Sequence, residues 1–226
     1  MKKTLPICLL ALALGGFLGF FLGRAAVEGP RPSLTLQAAA ISAGSASAAT
    51  EPAAELDVTN DECLLERGGQ VLTALEAEDY SALAKLVHPG KGVRFTPYST
   101  VDLEGDLVLT AERLAAGGTD QRVYTWGVVD GKGTLLTATI PEYFERYVAN
   151  ADYGEAPIVG MDTVAEVGNA QENAADAYPE GRFVEYHFPG LEEKNQGFDW
   201  CSLKLVFEPY QNDWRLVGVI HSEWTI

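Results

Sequence analysis

A chain of 226 residues, 47% hydrophobic and 10% aromatic, is long enough to bury a core and to leave room for a leader and a linker. Its formal net charge is −16, and from Asp57 onward it carries 12 basic against 29 acidic residues. Such a surface repels phosphate backbones and anionic lipid heads, which argues against nucleic acid as a partner; its plainest use is to keep an exported domain in solution.

The amino terminus places Lys2 and Lys3 before an uncharged apolar run, Leu5 to Gly23. A helix of that length spans about 28 Å, close to the thickness of a bilayer's hydrocarbon core. The preceding lysines favour an inside amino terminus and an exported carboxyl part. Gly23-Arg24-Ala25 also fits a small-x-small cleavage site. Residues 1–27 are therefore read as a signal peptide or a membrane anchor. Residues 28–56, rich in Ala, Ser and Pro without an aromatic side chain, cannot bury enough apolar surface to offset chain entropy and read as a flexible linker. Residues 57–226 are left as one globular domain.

Thr59 and Glu62 have the spacing of a capping box, and Leu64, Leu65, Val71, Leu72 and Leu75 supply a helical stripe behind it. Asp79 is placed to cap a second helix, Tyr80–Val87, stopped by Pro89 and Gly90. Gly92–Pro97 reads as a strand, and Thr110 caps a short helix through Leu114. Arg122–Val129 and Thr134–Thr139 flank Asp130-Gly131-Lys132-Gly133, a hairpin signal. Thr139, Pro141 and Glu142 start a helix through Val148. Ile158–Val167 reads as a strand, and 169–181 is open between loop and short helix.

Three runs close the chain: Arg182–Phe188, Trp200–Glu208 and Trp214–Ile226, the last two joined by Pro209-Tyr210-Gln211-Asn212-Asp213 as a hairpin. Alternation puts Leu203, Leu205 and Phe207 on one face, with Cys201 alongside them. It also groups Trp214, Leu216, Gly218, Ile220 and Trp224, which sets His221 and Glu223 on the other face. Tyr186 and His187, as neighbours, face opposite sides. Helices followed by mostly antiparallel strands define an α+β domain.

This order of elements across 59–226 resembles the NTF2-like cone, in which amino-terminal helices pack on a curved, mostly antiparallel sheet around a pocket. Asp79-Tyr80-Ser81-Ala82-Leu83, His88-Pro89-Gly90-Lys91-Gly92-Val93-Arg94-Phe95 and Phe183-Val184-Glu185-Tyr186-His187-Phe188-Pro189-Gly190 are similar to stretches in uncharacterised exported proteins of Gram-positive bacteria. So is the ending Leu216-Val217-Gly218-Val219-Ile220-His221-Ser222-Glu223-Trp224-Thr225-Ile226. The resemblance implies a fold and a location and carries no activity; no catalytic motif of the wider cone fold matches residue by residue.

Imidazole is the commonest metal ligand, but His88, His187 and His221 lack ligand spacing, so neither a metal nor another cofactor is expected. Ordinary structural roles are the simpler reading for them, His88 as the polar end of a helix. Arg94, Tyr98, Trp126, Tyr186, His187 and His221 are the candidates to line a pocket. Arg94 is read as pairing with Glu185 or another carboxylate, or as orienting an anionic ligand. The four tryptophans are read as core rather than as a sugar-stacking platform. Cys63 and Cys201 could bridge in an oxidising compartment, although two separate buried thiols is the preferred state.

The composite expectation is a membrane-tethered extracytoplasmic module that binds a small ligand or an envelope protein without catalysis. The alternatives are a pocket enzyme using histidine or carboxylate acid–base chemistry, which requires a cavity with convergent titratable groups, and a structural envelope protein.

Overall fold

In the computed structural model, which describes residues 60–225, the chain opens on α1, Asp61–Glu76. Asn60 caps it, accepting from the Glu62 amide at 2.9 Å, with Asp61 and Glu62 favourably placed in the first turn. Thr59, the expected cap, lies outside the described residues, as do the expected membrane segment and linker. Among the described residues no helix is long and apolar enough to cross a membrane. Leu64, Val71, Leu72 and Leu75 form the buried stripe of α1. Gly68 permits the close approach of α1 to the sheet: a Cβ there would lie 2.4 Å from the Tyr186 hydroxyl. The second helix, α2 (Tyr80–Leu86), is capped by Asp79, which accepts from the Ala82 amide at 2.8 Å.

Strand β1 (Val93–Thr96) is followed by a loop and by β2 (Leu107–Leu109), a strand the sequence reading lacks; three residues are too few to display a period. Thr110 caps α3 (Ala111–Ala115). The expected hairpin is β3 (Tyr124–Val128) with β4 (Leu135–Ala138). Thr139 and Glu142 complete a capping box on α4 (Ile140–Tyr143), which continues as a π turn over Phe144–Val148. Strand β5 covers only Ile158–Met161, ending where Asp162 turns to φ 48°. A one-turn helix, α5 (Ala174–Ala177), precedes β6 (Arg182–Phe188), β7 (Cys201–Tyr210) and β8 (Asp213–Glu223). The β7–β8 turn is shorter than its composition implies: Gln211 and Asn212 alone turn the chain, both at positive φ (49° and 58°), the pairing a type I′ turn needs.

Six strands form one sheet in the order β2-β1-β8-β7-β6-β5, antiparallel throughout except where β1 runs parallel to β8; β3 and β4 pair apart from it. The domain is thus α+β with a mostly antiparallel sheet. Its inner face packs Leu203, Leu205, Phe207, Trp214 and Leu216 against α1, α2 and the Trp126–Tyr143 region. Its outer face is also covered: Val206, Val217 and Ile220 pack with Val101, Phe183, Ala174 and Tyr178. Burial on both sides explains why eight consecutive residues of β7, Cys201 to Glu208, are buried.

One irregularity corrects the expected parity of the last strand. Val206 pairs with Gly218 but Phe207 pairs with Leu216, so Val217 is an extra residue, a β-bulge. Trp214 and Leu216 face inward, but beyond the bulge the faces exchange. Val219 and His221 continue the inner face, while Gly218, Ile220 and Ser222 point outward. Simple alternation places His221 on the wrong side because it assumes an unbroken period of two.

Candidate functional site

Three of the six candidate lining residues meet on the inner face. Trp126 stacks on Tyr143 with centroids 3.8 Å apart and planes 8° from parallel, and its Nε1 donates to the Ala138 carbonyl at 3.0 Å. Tyr143 stacks on Tyr147, from the π turn, at 5.0 Å. Tyr147 meets the His221 ring edge-on at 5.5 Å, and its hydroxyl lies 3.4 Å from that of Tyr98. This aromatic column fills the space between hairpin and sheet, so Trp126 and His221 are packing residues here, while Tyr98 and Tyr147 are its half-buried members.

His221 is 1% exposed. Because the Pro97 carbonyl can only accept, Nδ1 carries the proton and donates to it at 3.1 Å. The Nε2 lone pair then has no hydrogen-bond partner among the described residues, and Glu223 stands 4.0 Å away. Burial pushes the ring's pKa down to about 4, outweighing the opposing pull of Glu223, so the imidazole is neutral at pH 7.

The other candidates lie elsewhere. Tyr186 points under α1, and burial pushes its hydroxyl up to about 12. His187 is on the outer face, where Nδ1 meets Ser202 Oγ at 2.8 Å and Nε2 lies 3.6 Å from Glu166; burial lowers its pKa. Arg94 also points outward and does not pair with Glu185: it donates to the carbonyls of Asp102 and Asp106, both at 3.1 Å. Glu185 belongs instead to Lys204, 3.7 Å away and fully buried, which also meets Glu172 at 2.7 Å. His88 is a turn residue, its Nδ1 accepting from the amides of Gly90 and Lys91. The three histidines are therefore separate, and among the described residues no cluster of three His, Cys, Asp or Glu side chains could hold a metal ion. Cys63 and Cys201 are both free thiols, and burial raises the pKa of Cys201. Trp126, Trp200 and Trp214 are buried, while Trp224 is 40% exposed against Phe198.

The strongest local chemistry is at a residue the sequence reading passed over. Asp106, 8% exposed, sits just before β2 at the floor of a cleft of about 280 Å³ between the β1–β2 loop and the β3–β4 hairpin. Its Oδ2 accepts from Thr96 Oγ1 at 2.6 Å and from the Asp102 amide at 3.0 Å. Burial outweighs both bonds and raises its pKa to about 6. Oδ1 accepts nothing from the described residues. Gly127, at φ 140° where the hairpin register shifts, keeps that oxygen accessible: a Cβ there would lie 3.1 Å from it. Pro97, Tyr98, Asp102, Asp130 and Leu135 are among the other residues that line it. The signal in the sequence was Asp102–Asp106 itself, an acidic turn around Gly105 next to a strand, where one carboxylate is drawn under the chain.

A second depression, about 320 Å³, lies between the ends of α1 and α2 and the α4 segment, lined by Leu75, Glu78, Tyr80, Leu83, Phe144 and Glu145. Burial raises the Tyr80 pKa, but no buried carboxylate faces this space. The Asp106 cleft is therefore the better candidate, since perturbed titratable groups in clefts mark functional sites.

No family model matches the chain, and no curated protein is similar to it in sequence. Solved structures resemble it only distantly. One is an NTF2-like protein from Cytophaga hutchinsonii, 12% identical, covering 73% of this chain and 98% of its own with a TM-score of 0.36. Another is a domain of unknown function with a cystatin-like fold from Nostoc punctiforme, 10% identical over 74% of this chain and 79% of its own, TM-score 0.36. A third is an NTF2-like protein of unknown function from Shewanella baltica, 7% identical over 73% and 94%, TM-score 0.30. At this distance the function has to be read from the chain's own residues.

Proposed function

We propose that this chain is a binding module with an NTF2-like cone, held outside the cell by its amino-terminal segment, whose cleft takes a small organic cation. The observation that carries the reading is Asp106: a nearly buried carboxyl group with one oxygen free, at the floor of a cleft whose other charges, Asp102 and Asp130, are also acidic. An ammonium group would hydrogen-bond to Oδ1 and favour the ionised form that burial disfavours. Tyr98 offers a ring face for a cation, and Pro97 and Leu135 offer apolar contact to its body. The leading charge of the apolar run Leu5–Gly23 and the Ala/Ser/Pro stretch behind it support a tether that holds the domain away from a membrane.

A catalytic version would use Asp106 as a general base, its pKa of about 6 being suited to that work. It needs a second group to deliver or accept a proton, and among the described residues Tyr98 is the only titratable side chain lining the cleft that is not a carboxylate. The full chain in neutral detergent, titrated with butylammonium and benzylammonium by calorimetry, should bind saturably, and Asp106→Asn should weaken binding roughly tenfold or more. Binding unchanged in Asp106→Asn, or no binding to any amine, would overturn the proposal. Turnover of a bound amine ester or amide, lost in the same variant, would favour the catalytic version.

A further inference from the structure

A second set of residues lies on the outer face of the sheet, behind the cleft, and has the opposite chemistry. Arg94 on β1, Lys91 just before it, Tyr178 at the end of α5 and Val217 in the β8 bulge border a pocket of about 300 Å³, with Leu103 and Val108 on its rim. The motif that carries Lys91 and Arg94, His88 to Phe95, is one the sequence singled out and the cleft does not use.

Three observations mark this pocket as a site for an anion. Arg94 makes no ion pair among the described residues; one of its terminal nitrogens serves two backbone carbonyls, which leaves donors of the guanidinium unspent. Tyr178, 8% exposed, lines the pocket; its hydroxyl is buried behind the ring, within the influence of the Arg94 guanidinium, and has no hydrogen-bond partner among the described residues. A buried hydroxyl without a partner is costly unless something supplies one. Lys91 adds an ammonium, half exposed and paired with Glu208, among the described residues the one carboxylate in the pocket lining, which leaves Arg94 as the uncompensated charge there. Opposite these groups, Leu103 and Val108 are 55% and 41% exposed, an apolar ledge at the mouth of the pocket.

We propose that this pocket binds a monocarboxylate with a short apolar tail. The carboxylate accepts from Arg94 and from the Tyr178 hydroxyl, with Lys91 adding charge, and the tail lies across Leu103 and Val108. A planar carboxylate suits a guanidinium fork better than a spherical anion does. The site is separate from the cation cleft, but Arg94 joins them: the carbonyls it holds belong to Asp102 and to Asp106.

The test is titration of the full chain in neutral detergent with acetate, butyrate, hexanoate and inorganic phosphate, followed by calorimetry and by two-dimensional NMR. The expected result is saturable binding that tightens with tail length, with shifts at Lys91, Arg94 and Val217. Tyr178→Phe keeps the ring and its packing and should lose roughly tenfold in hexanoate affinity, as should Lys91→Met. Tyr178 does not line the cleft, so Tyr178→Phe should leave butylammonium binding there unchanged, which separates failure of this site from failure of the cleft. Phosphate binding tighter than hexanoate, unchanged affinity in Tyr178→Phe, or no saturable binding would each overturn the proposal.

Discussion

The Nδ1–H of His221 is committed to the carbonyl of Pro97, 3.1 Å away, and this bond between β8 and the end of β1 fixes which nitrogen of a buried ring is bare. With its folded pKa near 4, well below the ordinary 6.5, His221 takes up a proton more readily when the chain is unfolded. Its contribution to stability is complete above pH 6.5 and is lost as pH falls through about 4. The shift corresponds to about 3 kcal/mol. Urea unfolding from pH 4 to pH 7 should show His221→Asn, which retains a donor for Pro97, losing that part of the pH dependence. An identical slope in the variant would mean that the ring is hydrated.

Asp106 works in the opposite direction. Its folded pKa, about 6, is raised above 3.8, so the folded chain holds this proton more tightly. That stability is present below pH 3.8 and disappears as pH rises through 6, on the order of 2 kcal/mol once its partial exposure is discounted. Asp106→Asn can keep both hydrogen bonds to Oδ2 through its amide oxygen. It should therefore be more stable than wild type at pH 7.5 and no more stable at pH 4, while losing amine binding. A variant destabilised at both pH values would show that the carboxylate is structural. In wild type the two titrations oppose one another between pH 4 and 6, so a flat stability profile there conceals both, and only the single variants expose them.

Most element boundaries were legible because local chemistry dictates them: Asp79, Thr110 and Thr139 each cap the helix that follows, and each is recognisable within four residues of sequence. What alternation could not give was the side of the sheet that His221 takes. The Val217 bulge arises from pairing between β7 and β8, and nothing in β8 alone announces it. Asp106 and Lys204 were missed for a related reason. A carboxylate in a loop and a lysine in a strand look solvated until the segments that bury them, the β3–β4 hairpin and residues 162–178, are in place. Lys204 did carry a signal, since a lone charge flanked by Leu203, Leu205, Val206 and Phe207 needs a buried partner.

The column on the inner face should be the mechanical centre of the fold. Trp126 is fully buried and stacks on Tyr143, which in turn contacts Phe95 and Tyr147. Trp126→Ala should cost about 3–5 kcal/mol, through lost burial and the cavity left behind. Chemical denaturation measures this, and a loss under about 1 kcal/mol would mean that the hairpin does not dock firmly on the sheet. Val128→Ala, on the exposed side of the same hairpin, should change stability by less than about 0.5 kcal/mol.

Lys204 offers the sharpest separation between a buried charge that is compensated and one that is not. Its ammonium lies 2.7 Å from Glu172, 3.7 Å from Glu185 and 3.4 Å from Ser222 Oγ, and both Lys204 and Glu185 are fully buried. Lys204→Met removes the only cation within ion-pair distance of Glu185 among the described residues, and should cost about 3–5 kcal/mol. Adding Glu185→Gln should recover much of that loss, because glutamine can still accept from the Ala165 amide, one of several bonds that fasten segment 162–178 to β6. The neighbouring histidine gives an independent readout. Burial is the main cause of the low pKa of His187, and Lys204 lowers it further while Glu185 and Glu166 raise it. An NMR titration of Lys204→Met should therefore find the His187 pKa higher than in wild type, and the double variant should return it part of the way. A harmless Lys204→Met with an unmoved His187 would mean that water reaches the outer face and that the pair is screened.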